Sequence, residues 1–137
     1  SEIIAASPWL DDGLLTASGR MACFSGKDGA LLWESKGTMD FEHLGRYLDR
    51  AVDFNGDGMS DFLSRSPGSS VTNFNEGRVG AVSGSDGSIL WSAAGDNGAD
   101  YLGDEYVITD DMNGDGVPDV AVSAPSSDAA FPDGGDR

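Results

Sequence analysis

The sequence has few of the residues on which several common functional sites depend. It contains one cysteine, Cys23, and one histidine, His43, in 137 residues. A single cysteine cannot form an internal disulfide framework. A single histidine argues against a histidine-rich zinc site or a serine–histidine dyad. No apolar run approaches the ~18 residues of a membrane-spanning helix, so we expect no insertion into a membrane.

Basic residues are also scarce. The chain has 8 Lys and Arg against 24 Asp and Glu, which gives a formal net charge of −16. Binding to nucleic acid or to anionic lipid depends on clustered Lys and Arg, so neither is expected as a partner. A hydrophobic share of 39% nevertheless indicates a folded domain and excludes a disordered acidic tail.

Glycine, in contrast, is abundant, with 20 residues spread along the chain. Several of them belong to an internal repeat with a period of 58 residues, which aligns without a gap. The recurring pairs are Gly19-Arg20 with Gly77-Arg78, Asp28-Gly29 with Asp86-Gly87, Leu32-Trp33 with Leu90-Trp91, and Leu44-Gly45 with Leu102-Gly103. The sequence therefore predicts a repeat architecture.

The copies extend beyond these pairs, because residues 61–67 match residues 119–125 and also residues 2–8. We divide the chain into repeat units of about 2–60 and 61–118, with a partial unit at 119–137. Repeat arrays normally end in atypical capping units. Since both ends here cut through a unit, we expect a piece of a longer array.

Each copy reads as four short strands. The predicted strands cover residues 21–25, 31–33, 47–52 and 62–64, and in the second copy 79–83, 89–91, 105–109 and 120–123. The Asp-Gly pairs predict hairpin turns between the first two strands of each copy. The expected fold is therefore all-β: four-stranded antiparallel β-propeller blades, with two complete repeats and partial ends of a larger propeller.

One nine-residue loop in each copy carries oxygen side chains at positions 1, 3, 5 and 9. Ca²⁺ takes six to eight oxygen ligands at about 2.3–2.6 Å. A glycine at position 6 allows a sharp turn, so that the backbone carbonyl at position 7 can also bind. The sequence predicts two Ca²⁺ sites, formed by Asp53, Asn55, Asp57, Met59 and Asp61 and by Asp111, Asn113, Asp115, Val117 and Asp119.

Two other interpretations of these loops are weaker. An EF-hand needs flanking helices and a glutamate at position 12, where this chain has Ser64 and Val122. A plain Asn-Gly turn needs neither the flanking aspartates nor their recurrence 58 residues later.

Together, Leu44-Gly45, the loop from Asp53 to Asp61 and Ser66-Pro67 resemble the FG-GAP repeat of integrin α-subunit propellers and their bacterial relatives. The second copy has Ser123-Ala124-Pro125 where the family has Gly-Ala-Pro, and leucine replaces phenylalanine before Gly45 and Gly103. The resemblance implies a seven-bladed propeller with calcium in loops on one rim. It also implies an extracellular, cell-surface or periplasmic location, further blades in the same or another chain, and binding or adhesion to a protein or glycan.

Two enzymatic alternatives remain at this point. The chain could be part of a secreted carbohydrate- or lipid-active enzyme. The spacing from Ala81 to Trp91 also resembles a motif of PQQ-dependent propellers, although Ser83 stands where that motif has aspartate. We expect no enzyme, because the prominent carboxylates lie in the metal loops and His43 has Tyr101 as its counterpart. Trp33 and Trp91 are predicted to pack between blades, and residues 38–42, 68–75 and 96–100 to form recognition surface.

Overall fold

A computed structural model describes residues 2–126 of the chain. These residues form nine β-strands and contain no helix, and thus no helix that could cross a membrane. Residues 127–137 of the predicted partial unit lie outside the described part. The strands are β1 (Glu2–Ala6), β2 (Arg20–Ser25), β3 (Leu31–Lys36), β4 (Tyr47–Arg50), β5 (Phe62–Ser66), β6 (Arg78–Val82), β7 (Ile89–Ala94), β8 (Tyr106–Ile108) and β9 (Val120–Val122).

The strands pair into three antiparallel sheets, which confirms the prediction of an all-β chain. The first sheet is β1-β2-β3, the second is β4-β5-β6-β7 and the third is β8-β9. A strand lies at every predicted position, with ends that differ by a few residues. The second sheet combines strands of two consecutive copies. β4 and β5 are the last two predicted strands of the first copy, and β6 and β7 are the first two of the second copy.

The 58-residue period is also visible in the backbone irregularities. The β2–β3 pair shifts register between Cys23 and Phe24, and the β6–β7 pair does so at the equivalent Ala81 and Val82. Two isolated parallel bridges lie ahead of these strands, Gly19 with Leu44 and Gly77 with Leu102. Because a register shift disrupts a ladder locally, its recurrence shows that the two copies fold alike.

The hydrophobic core joins the first and second sheets. Its buried members are Met21, Cys23, Trp33, Leu44 and Val82. Cys23 is only 2% exposed, and burial raises the pKa of its thiol. It therefore behaves as a small buried residue, as the sequence predicts.

Two side chains make specific connections between sheets. The indole Nε1 of Trp33 donates to the carbonyl oxygen of Gly84 at 3.0 Å, and its ring centroid lies 6.4 Å from that of Phe62. Arg65 donates through Nη1 to the carbonyl oxygens of Gly103 and Asp104, both at 2.9 Å. Trp33 thus connects the first sheet to the second, as predicted for a packing residue, and Arg65 connects the second to the third.

The Trp33 contact supports a stability prediction. Trp33→Phe keeps an aromatic ring but leaves the Gly84 carbonyl without its donor, so we expect a loss of about 0.5–1.5 kcal/mol in the free energy of unfolding. Urea denaturation measures this loss. Trp91→Phe is the control, because among residues 2–126 the indole N–H of Trp91 donates no hydrogen bond, and its ring meets that of Phe54 edge-on at 6.0 Å between ring centroids. Equal losses in the two variants would contradict the role given to the hydrogen bond.

Candidate metal-binding loops

Each of the two predicted loops connects neighbouring antiparallel strands. The first lies between β4 and β5, and the second between β8 and β9. Backbone hydrogen bonds close the base of the first loop, from Ala51 N to Asp61 O at 2.8 Å and from Asp61 N to Val52 O at 3.0 Å. In the second loop Thr109 N donates to Asp119 O at 2.8 Å. The sheet therefore fixes where each loop begins and ends.

The aspartate at position 1 organises the backbone of each loop. The carboxylate of Asp53 accepts from the N–H groups of Gly56 at 2.7 Å, Asp57 at 3.2 Å and Gly58 at 2.8 Å. Asp111 has the same three partners one period later, at 2.7, 3.0 and 2.8 Å. Gly56 and Gly58 have φ values of 77° and 86°, a conformation that favours glycine. The chain therefore coils around the first carboxylate in both loops.

The side chains at positions 3 and 5 are linked to each other. Asn55 accepts from Asp57 N at 3.0 Å and donates through Nδ2 to the Asp57 carboxylate at 3.1 Å. The same carboxylate accepts from Met59 N at 2.8 Å, which lowers the pKa of Asp57. The second loop repeats these contacts with Asn113, Asp115 and Val117.

The position-9 aspartates differ between the loops. Asp61 is fully buried and accepts from the N–H groups of Phe54 at 2.7 Å and Gly84 at 3.0 Å. Since Gly84 follows β6, Asp61 ties the first loop to the turn between β6 and β7. Asp119 accepts from Met112 N at 2.7 Å and from Asn113 Nδ2 at 3.3 Å, both within its own loop. The first loop is therefore anchored more firmly to the rest of its sheet.

The sequence did not predict that the β6–β7 turn lies beside the first loop. Ser85 donates a hydrogen bond that also lowers the pKa of Asp57, whereas the charge of Asp86 opposes that lowering. Both residues belong to the β6–β7 turn, where the sequence indicated only an Asp-Gly hairpin. Nothing in their spacing from Asp57 could have shown that the turn lies beside the loop, because sheet packing brings the two together.

The chemistry of the loops suits a hard cation. The side-chain donors are carboxylate and amide oxygens, which Ca²⁺ prefers and soft metals do not. Hydrogen bonds from backbone N–H groups lower the pKa of Asp111, and the N–H of Gly116 has the largest effect. The N–H of Met59 lowers the pKa of Asp57 in the same way. Both carboxylates are thus charged at neutral pH. Within residues 2–126, no three His, Cys, Asp or Glu side chains already converge in a geometry that would hold a metal ion.

Comparison with known proteins adds no family to these observations. No model of a known protein family matches the chain, and no match is found among curated proteins.

Proposed function

We propose that the chain is a calcium-binding segment of an FG-GAP-type β-propeller, acting as an extracellular, cell-surface or periplasmic scaffold for binding or adhesion. The observation that carries this proposal is the pair of nine-residue loops with matching hydrogen bonds at positions 1, 3 and 5. A turn without a ligand would not need three carboxylates in nine residues, because these charges repel one another. A bound Ca²⁺ would offset that repulsion in each loop.

The arrangement of the sheets supports the propeller part of the proposal. A propeller blade is a four-stranded antiparallel sheet, and β4 to β7 pair in chain order as one such sheet. The core and Trp33 pack the first sheet against the second, as neighbouring blades require. Further blades, in the same or another polypeptide, would complete a ring.

A role in binding fits the described residues better than a role in catalysis. The loop carboxylates are the proposed Ca²⁺ ligands, and a carboxylate bound to a metal ion does not also act as a free general base. His43 is 7% exposed and packs edge-on against Trp9 at 4.3 Å between ring centroids. A catalytic base is normally oriented by a third group, and the buried Nδ1 of His43 has no hydrogen-bond partner among the described residues. We therefore assign no reaction to the chain.

Calcium titration by calorimetry tests the proposal. We expect two sites in the wild-type chain and one in Asp57→Ala or Asp115→Ala. These two aspartates are exposed, and their side chains accept hydrogen bonds from Met59 N and Val117 N within their own loops, so the rest of the fold should persist. Glu105→Gln, an exposed charge change outside both loops, is the control and should leave two sites. An absence of calcium binding, or two sites in Asp57→Ala, would refute the assignment.

A further inference from the structure

A cavity of about 820 Å³ opens at the opposite end of the strands from the metal loops. Tyr47, at the start of β4, lines the cavity, and β4 runs from there toward the first loop. β5 returns from that loop to Pro67, which lines the cavity again. A ligand in this cavity would therefore not compete with Ca²⁺ for the same residues.

Four aromatic side chains line the cavity with much of their surface in contact with solvent. The exposed fractions are 59% for Trp9, 45% for Phe41, 46% for Tyr47 and 76% for Phe74. Folding normally buries such groups, and a concave cluster of exposed apolar surface is typical of a ligand site. The volume also lies within the usual range of roughly 300–1,000 Å³ for small-molecule pockets.

The polar residues of the cavity carry no net charge. Arg46 and Asp104 have opposite charges, and burial lowers the pKa of His43, which keeps its imidazole neutral at pH 7. The Arg46 guanidinium lies 5.0 Å from the ring centroid of Trp9 and 5.6 Å from that of Tyr47, so aromatic faces already stabilise its charge. This balance favours a neutral ligand.

Several side chains of the cavity wall are not repeated in the other copy of the 58-residue repeat. One period away, Phe41 corresponds to Ala99, Arg46 to Asp104 and Phe74 to Thr16. The backbone nevertheless repeats, with φ values of 56° at Phe41 and 63° at Ala99. Since an alanine serves the same backbone position, the aromatic ring at Phe41 is not needed for folding. We attribute these side chains to binding.

We propose that the cavity binds a neutral saccharide. A sugar ring has an apolar C–H face, which can lie on an aromatic ring, and hydroxyl groups around its edge. Asn75 and Tyr101, joined by a 3.1 Å hydrogen bond from Nδ2 to the phenol oxygen, supply donors and acceptors beside the aromatic wall. This inference rests on the proposed binding role and specifies its ligand class.

A panel of neutral and acidic oligosaccharides, titrated into the calcium-loaded chain, tests this inference. We expect neutral members to bind with a change in tryptophan fluorescence from Trp9. Phe74→Ala should weaken their binding at least tenfold, whereas Leu14→Ala should not. Leu14 is 97% exposed and lies outside the cavity wall, so it is a matched control for the loss of an exposed apolar group. Trp9→Ala should also weaken binding, measured by calorimetry because this variant lacks the reporting indole.

The possible failures can be told apart. Binding of acidic saccharides alone, binding of none, or equal binding by Phe74→Ala and Leu14→Ala would each overturn the saccharide site. If the same sample still takes up two calcium ions, the proposed calcium scaffold stands and only its ligand class is wrong. A sample that takes up no calcium overturns the proposed function itself.

Discussion

Melting in about 10 mM Ca²⁺ is expected to occur roughly 10 °C above melting in excess EDTA. Extracellular calcium modules have dissociation constants on the order of 10⁻⁴–10⁻³ M. At that calcium concentration, each occupied site stabilises the fold by about 1.4–2.7 kcal/mol. Two sites give about 3–5 kcal/mol, and each kcal/mol raises the melting temperature of a chain of this length by about 3 °C. Circular dichroism at a strand wavelength measures the shift.

The physical cause is the crowding of charge within each loop. Asp53, Asp57 and Asp61 lie within nine residues, and backbone N–H groups supply only partial charges to oppose their repulsion. The unfolded chain spreads these carboxylates apart, so the repulsion disfavours the folded state. A divalent cation that binds only the folded loop offsets this repulsion and stabilises the folded state.

Two variants isolate the loops as the source of the shift. The double variant Asp57→Ala with Asp115→Ala should melt at nearly the same temperature in Ca²⁺ and in EDTA, whereas Glu105→Gln should keep the full difference. Mg²⁺ should shift the wild-type melt less, because it demands octahedral geometry and gives up its water reluctantly. If the wild-type chain melts at the same temperature in EDTA and in Ca²⁺, calcium does not stabilise the fold.

The features predicted correctly from the sequence are local ones. Short apolar runs became strands, and the Asp-Gly pairs became turns in which Gly29 and Gly87 have φ values of 74° and 76°. Strands and turns depend on residue type and spacing, and both can be read directly from the sequence. The sequence did not predict the hydrogen bonds within the loops, although they are local as well: Asp53 accepts from residues three to five positions ahead. The predicted Ca²⁺ ligation stays a prediction.

Features that depend on how strands and sheets meet could not be predicted in this way. Phe41 and Phe74 line the cavity and lie in two of the three segments predicted as recognition surface, 38–42, 68–75 and 96–100. That role stays a prediction. Trp9 and Arg46 were not singled out, because no spacing rule connects a residue after β1 with one before β4. The hydrogen bond from Gly84 to Asp61 likewise depends on the path of the β6–β7 turn. Long-range proximity of this kind follows from sheet pairing and packing.

Gly77→Ala is expected to lower the free energy of unfolding by about 2–5 kcal/mol. Gly77 has a φ of 81°, where an L side chain costs roughly 1–2 kcal/mol. Its backbone also forms the parallel bridge to Leu102, just ahead of the third sheet. A Cβ at this position would overlap the backbone nitrogen and oxygen of Leu102, and would lie 2.7 Å from the carbonyl carbon of Tyr101. Such overpacking adds about 1–3 kcal/mol, because backbone atoms cannot turn aside as a side chain can.

Gly29→Ala separates the two causes. Gly29 has a similar φ of 74°, but a Cβ there would meet no atom within 4 Å. Only the conformational cost remains, so we expect a loss of about 1–2 kcal/mol. Gly19→Ala should behave like Gly77→Ala, because its Cβ would overlap the backbone of Leu44 one period earlier. Urea denaturation of the three variants measures each loss in the free energy of unfolding. Similar losses for Gly77→Ala and Gly29→Ala would show that the close approach to Leu102 contributes little. Backbone conformation alone would then explain the glycine of each Gly-Arg pair.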